Sequence, residues 1–440
     1  MRENIIFFFA DQQRYDTFTP EIMPNLTKCA EDGAVFENTF TCQPVCGPAR
    51  ACLQTGVYAT ENGSYINAIP LNRDYKTLAE YLKESGYDTA YIGKWHLASG
   101  MGPTAPHYEK SAVPKELRGG YDYWMASDVL EFTSDGYGGY VFDTDMNKIE
   151  FDGVRADKIT DFAIDYIKEK SSDKKPFFMF LSHIEPHHQN STDNFECAPE
   201  DKGKFDNVAI PEDLTFPKKG NAARKYGDYL ACINRLDKNL MRLVDALKEK
   251  GIFDNTVIFY TADHGCHFRT RNIEYKRSCH DASIHVPLVV FGGAYRGGKA
   301  YNDIVSLIDI PTSILAIAGV EKPDYMRGND IAEIMDGKGS RKEAYVEISE
   351  SQTGRAIRTA EYTYSARSRF FSYFAKGAKT YVEDYLYDNR VDGAQRNNLI
   401  KDKDYQEVRK ELRERLKKHI KEVEGIDVKI LPRKFIKRKI

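Results

Sequence analysis

Five short apolar runs, at 5–9, 89–92, 177–181, 257–260 and 288–291, punctuate the chain, with segments of helical period between them. An apolar run without polar alternation suits a strand covered on both faces, and helix-length crossovers suit parallel neighbours. The pattern predicts an α/β fold: a mixed, mainly parallel sheet sandwiched by helices. Helices are expected at 75–85, 156–168, 222–250 and 311–318. In the third, Tyr229, Ile233, Leu236, Leu240, Leu243 and Leu247 recur at three- and four-residue steps, which makes one buried stripe. The fourth has Pro311 at its start and Gly319 past its end.

The character changes after about residue 340. Short strands, read as exposed, are expected at 344–348, 356–358, 362–365 and 372–374. A closing amphipathic helix follows, with Val408, Leu412, Leu416 and Ile420 on one face. This predicts a smaller C-terminal antiparallel sheet plus helix, so the organisation is read as 1–340, 341–425 and a tail, 426–440. The tail carries Lys429, Arg433, Lys434, Lys437, Arg438 and Lys439 with no acid among these positions, and reads as a solvated end. Residues 101–152, rich in Gly, Tyr and Asp, show little period and read as loops that shape a site or as plain irregular surface.

With 63 Lys and Arg against 66 Asp and Glu, the net charge of −3 leaves no electrostatic footprint for nucleic acid. No apolar run approaches a membrane span, and the run ending at Ala10 is too short for a signal-peptide core. As written, the chain reads as cytoplasmic; a removed leader would make it periplasmic or secreted. Eight cysteines include no CxxC pair, so a zinc ribbon or thioredoxin-like site is not indicated.

In an open parallel sheet, ligands bind beyond the carboxyl ends of the strands. Just past four of the runs stand Asp11 and Gln12; Lys94 and His96; His183, His187 and His188; and Asp263 and His264. Asp11, Gln12, Asp263 and His264 together offer two carboxylates, an amide oxygen and an imidazole. That set suits one divalent cation such as calcium, magnesium or manganese better than zinc. The alternative for Asp263, His264 and Gly265 is a turn with a satisfied histidine. The segment from Pro44 to Gly56 predicts a short helix with Cys46 at its amino end, where backbone amides favour negative charge, and with Arg50 one turn on. For an arbitrary cysteine the plainer reading, a buried thiol in a turn, is the stronger one.

Cys46-Gly47-Pro48-Ala49-Arg50 resembles the CxPxR signature of the type I, formylglycine-dependent sulfatases of the alkaline phosphatase superfamily. Leu53-Gln54-Thr55-Gly56, Gly93-Lys94-Trp95-His96, Glu185-Pro186-His187, Thr261-Ala262-Asp263-His264-Gly265 and Lys276 ahead of Val286-Pro287-Leu288 are similar to that family's other motifs, in the family's order. The likeness extends to Leu386-Tyr387-Asp388 and Asn397-Asn398-Leu399, nearly the whole chain, and is to bacterial glycan sulfatases in particular. Three positions depart: Gln12 where the family often has aspartate, His264 where it often has asparagine, and Ala49 where it has serine.

The resemblance implies an alkaline-phosphatase-like fold and hydrolysis of a sulfate monoester by a formylglycine hydrate made from Cys46. One hydrate hydroxyl attacks sulfur; loss of a proton from the second expels sulfate. It implies Cys46, Arg50, Lys94, His96, His187 and Lys276 as the catalytic set, with His96 the base that releases sulfate. Asp11, Gln12, Asp263, His264 and position 46 would hold the metal, calcium first. It also implies a sulfated carbohydrate substrate, 6-O-sulfated N-acetylglucosamine being the finer expectation. The maturation partner would be a formylglycine-generating or anaerobic sulfatase-maturing enzyme. His188, Gln189, Asn190 and His267 are near enough in sequence to be substrate contacts, while Trp124 and its aromatic neighbours read as a sugar wall or as core. The Asp-Gln and Asp-His pairing keeps open a phosphonate monoester or phosphodiester hydrolase, and a non-catalytic metal- or glycan-binding relative stands as the alternative of another class.

Overall fold

The opening run becomes β1 (Asn4–Ala10), buried at every position. The computed structural model describes residues 2–433 apart from 68, 102–104, 171–174, 217–219, 294 and 340. Around β1 are β2 (Ala34–Phe40), β3 (Asp88–Lys94), β4 (Tyr123–Ser127), β5 (Tyr137–Asp143), β6 (Lys148–Val154), β7 (Phe177–Ser182), β8 (Thr256–Ala262), β9 (Leu288–Gly292) and β10 (Lys299–Ser306). They form one sheet in the order β10-β2-β9-β8-β1-β7-β3-β4-β5-β6. Its centre, β8-β1-β7-β3-β4, is parallel; β9 runs against β8, and β5 and β6 close the far edge as antiparallel neighbours.

Helices cover the sheet, which is why its central strands tolerate no polar alternation. Arg155–Lys170 packs on Ala222–Glu249, and Cys46–Thr55 packs against Leu78–Glu84 and Asp309–Ile317. The predicted stripe of the long helix is buried at all six positions. The stretch 101–152 is a correction to the loop reading, since β4, β5 and most of β6 lie in it. Trp124 is fully buried core, not a wall open to sugar.

The second sheet runs β11 (Glu343–Ile348), β12 (Gly354–Thr359), β13 (Tyr362–Ser368), β14 (Thr380–Asp388) and β15 (Lys429–Leu431); the first four are antiparallel and β15 lies parallel to β14. Three expectations change here. Residues 372–374 are turn and coil, the strand coming later as β14. The strands are not exposed: β12 is buried throughout, beneath the closing helix Gln406–Glu424. Lys429 and its neighbours, read as a free tail, are stitched into the sheet edge, while residues 434–440 lie outside the described residues. The apolar core is continuous between the two sheets, taking in Tyr345, Ile357, Leu416 and Ile420.

Register positions the functional rim. Ala10 pairs with Ala262 and Phe9 with both Thr261 and Ser182, so Asp11 and Asp263 leave adjacent strand tips together. Gly93 pairs with Ser182 one strand further, which brings Lys94 to the same edge. A Cβ on Gly93, at φ 103°, would stand 2.0 Å from the Ser182 carbonyl oxygen, so only glycine lets these strands approach here.

Candidate active site

The helix Cys46–Thr55 begins at Cys46 and ends on Gly56, whose φ of 70° caps it. Its amino end meets the strand tips. Cys46 Sγ lies 3.4 Å from Asp11 Oδ1, 3.3 Å from His264 Nε2 and 2.8 Å from Lys276 Nζ. Lys276 Nζ is also 3.0 Å from His264 Nε2. Lys94, fully buried, donates to Asp11 Oδ2 at 2.9 Å and to Glu131 Oε1 at 3.0 Å. Arg50, equally buried, donates to Asp11 Oδ2 at 3.1 Å, to Ser182 Oγ at 2.6 Å and to the Lys94 carbonyl at 2.9 Å.

These charges control one another. Burial pushes Asp11 up, but Lys94, His187, Lys276 and Arg50 outweigh it and hold the carboxyl well below its ordinary range. Asp263 has no such surplus of cations: burial, then the charge of Asp11, pushes it up to about 7. Burial and Asp11 raise the Cys46 thiol, yet Lys276, Lys94 and a hydrogen bond from His96 bring it below the usual value. Burial takes His264 down to about 4, so its ring is neutral and has a lone pair to offer.

Asp11, Cys46, Asp263 and His264 present donor atoms that all lie within 4.8 Å of one another, and all four residues are buried. Asp263 Oδ1 accepts the backbone N–H groups of Gln12 and His264, both at 2.9 Å. Its Oδ2, and the Oε1 of Gln12, have no hydrogen-bond partner among the described residues. Two close buried carboxylates, orphaned oxygens and a neutral imidazole fit a hard or borderline divalent cation. Gln12 holds its place at φ 73°, a strained backbone that functional sites often keep.

Cys46 carries the cluster to a cavity of about 450 Å³, whose lining also includes His96, His187, His188, Asn190 and Lys276. Sequence reasoning missed several partners. Glu131, on the short helix Leu130–Thr133, is the second anchor of Lys94. Asn67 Oδ1 accepts the Gly47 N–H at 2.9 Å, and the Asn67 N–H donates to Glu350 Oε1 at 2.7 Å. Arg277 at the cavity wall is ion-paired to Glu350 and Glu274.

The sequence profile described as Sulfatase matches residues 3–320, well over half the chain. The chain belongs to the sulfatase family. A second profile, N-sulphoglucosamine sulphohydrolase C-terminal, matches 272–422. This sulfatase is 28% identical to an ulvan-active sulfatase of Formosa agariphila over 96% of the chain and 82% of that protein. It is 25% identical to an N-acetylglucosamine-6-O-sulfatase of Bacteroides thetaiotaomicron over 97% and 88% of the two. A solved structure holding its substrate D-glucosamine-2-N,6-O-disulfate superposes with a TM-score of 0.79 at 23% identity, covering 97% of this chain and 99% of that one. The chain is a sulfuric ester hydrolase, which removes the reading as a non-catalytic relative.

Two of the expected substrate contacts of this sulfatase do other work. His267 is fully buried, with Nε2 3.0 Å from the Lys276 carbonyl, and steadies the loop that carries Lys276. Gln189 is buried too, donating to the Glu131 and Ser134 carbonyls. His183, also buried, packs against Phe8 with the rings tilted at 35°. His188 and Asn190 reach the cavity, His188 lying against Tyr275.

Proposed function

We propose that this sulfatase hydrolyses a sulfate monoester on a sulfated glycan, with 6-O-sulfated N-acetylglucosamine the first substrate to test, through formylglycine made from Cys46. The observation that carries the chemistry is that Cys46 and Lys276 line one cavity while Lys94, Arg50 and the Asp11–Asp263–His264 cluster gather in contact behind them. The glycan reading is supported by the substrates that two of the matched sulfatases are named for.

Asp11, Gln12, Asp263, His264 and position 46 would hold one divalent cation, calcium first, which supplies positive charge to a nucleophile and to a sulfate oxygen. The hydrated aldehyde supplies one hydroxyl for attack and a second whose proton loss releases sulfate. A maturing enzyme, aerobic or anaerobic, would install it. The chain's own residues do the rest. Arg50 and Lys94 fix Asp11 as an anion and Lys94 adds charge beneath the sulfate. Lys276 neutralises the ester oxygens and gives a proton to the departing alcohol. His187, held well below its usual pKa by burial and by Lys276, is neutral; its Nδ1–H donates to the His188 carbonyl at 2.6 Å, which leaves Nε2 as a hydrogen-bond acceptor. His96 takes the proton from position 46. In this reading residues 1–340 hold the chemistry, and 341–425 brace it through Glu350.

Two measurements test this. The mass of the tryptic peptide spanning position 46 should be that of the aldehyde after co-expression with a maturing enzyme. Sulfate release from 6-O-sulfated N-acetylglucosamine should vanish in Cys46→Ala. Full activity of that variant, or turnover of phosphonate monoesters alone, overturns the proposal.

A further inference from the structure

Beside the active cavity lies a second groove of about 730 Å³, and Glu131, Phe132 and Asn190 line both. Glu131 is the residue that holds Lys94, so the groove begins one side chain from the charged floor. Its wall presents aromatic rings to solvent: Phe132 is 46% and Tyr137 59% exposed, with Tyr140 next to them. Single exposed aromatics are ordinary on a protein surface; a row of them along a groove that opens from an active cavity is not.

The wall is also rigidly built. Gln189 donates to the Glu131 carbonyl at 2.8 Å, the Ser134 carbonyl at 3.1 Å and Asp135 Oδ1 at 3.1 Å. Arg155, buried, holds Gln189 Oε1 at 3.2 Å and the Ser134 carbonyl at 3.3 Å. Gly139, at φ 149°, lets the turn close on Ser134, where a Cβ would meet the Ser134 side chain at 2.4 Å. Lys148 Nζ sits 4.2 Å from the Tyr140 ring centroid, a cation–π contact on that ring.

We infer that this groove is a second sugar subsite, which takes a neutral hexose or N-acetylhexosamine ring joined to the sulfated one. The inference rests on the proposed function and narrows it: the substrate is an oligosaccharide, not a sulfated monosaccharide. Flat apolar ring faces cover the C–H face of a pyranose, and Asn190, Asp135 and Lys110 offer polar groups to its hydroxyls. Lys110 and Asp135 carry opposite charges, Lys148 is paired with Glu150 and Glu131 is spent on Lys94, so among the described residues the groove has no surplus cation for a second sulfate or a uronate. Gln189 and Arg155 pre-set the backbone of the wall, which lowers the ordering cost of binding.

The test compares 6-O-sulfated N-acetylglucosamine with the same unit extended by galactose at O1 or at O4, on the matured holoenzyme. Extension at one end should raise kcat/KM by about tenfold, the scale of one aromatic–sugar contact. Tyr137→Ala should abolish that gain and leave the monosaccharide rate unchanged. No gain from either extension, or a gain that survives Tyr137→Ala, overturns the subsite. If the wild type hydrolyses none of these sulfates, the proposed function fails separately. Calorimetry with the unsulfated disaccharide then decides the groove: binding lost in Tyr137→Ala supports it, and no binding to the wild type overturns it.

Discussion

Lys276 places its ammonium 2.8 Å from the sulfur of Cys46, across 230 residues of sequence. In the proposed mechanism that ammonium stands beside the side chain whose oxidation would supply the nucleophilic oxygen. Lys276→Met keeps the length of the side chain and removes the charge. Sulfate release should fall by about 10²–10³-fold, as when one preorganised charge-stabilising donor is lost, with the melting temperature close to wild type. Unchanged kcat on a sulfate ester would make Lys276 a bystander.

Removal of the divalent cation should stop turnover and lower the melting temperature, and a hundredfold excess of cation over its Kd should restore roughly 2.7 kcal/mol. Asp263→Asn separates two effects. In the metal-free protein, burial and Asp11 lift the Asp263 carboxyl to about 7, above its unfolded value. Its protonated form is the one the fold favours, so stability is present at low pH and is lost as pH rises through about 7. Asp263→Asn should therefore melt higher than wild type at pH 8 in chelator, yet no longer gain stability from added calcium. Thermal melts with and without calcium read both.

On the acid side the histidines act with the opposite sign. Burial takes His183 and His285 down to about 4 and His267 to about 3. A base with a depressed folded pKa contributes stability that is complete above its unfolded value of about 6.5 and drains away as pH falls toward 4. Melting temperature in chelator should drop steadily over that window. His183→Asn should flatten the slope by up to one proton, and an identical slope would show that His183 ionises freely in the folded state.

Lys94 bridges Asp11 and Glu131, and all three side chains are at most 3% exposed. Lys94→Met leaves two buried carboxylates without their shared partner, a loss of about 3–5 kcal/mol by analogy with other broken buried pairs. Urea unfolding in chelator should show that loss. The double variant Lys94→Met/Glu131→Gln should recover part of the stability but none of the activity.

What the sequence made legible follows from how each residue is held. Central strands β1, β3, β7 and β8 announce themselves because both faces are covered, and their tips deliver Asp11, Lys94, His187 and Asp263. Edge strands do not. In β6 the burial alternates along Lys148–Val154, a signal present in Ile149 and Phe151, but Gly138 and Gly139 mask its partner β5. Cys46, Lys276 and His264 converge through the fold alone; the strand-tip pattern offered His264 and the helix signals Cys46, but Lys276 was named only by the resemblance. His267 shows the opposite error, for closeness in sequence to Asp263 suggested closeness to substrate, whereas its ring faces the Lys276 carbonyl. Glu131 and Asn67 left no trace, since a polar residue in an aperiodic stretch looks like any other until its partner arrives from elsewhere in the chain.

The Glu350–Asn67–Gly47 chain of hydrogen bonds ties the start of the reactive helix to a residue just beyond β11. A proteolytic nick or truncation after residue 340 would thus strike the chemistry itself and not merely an appendage. Designers seeking a smaller catalyst would lose that anchor with the cut, whereas the aromatic groove wall stands toward the other flank of the large sheet, where sequence can be exchanged without disturbing it.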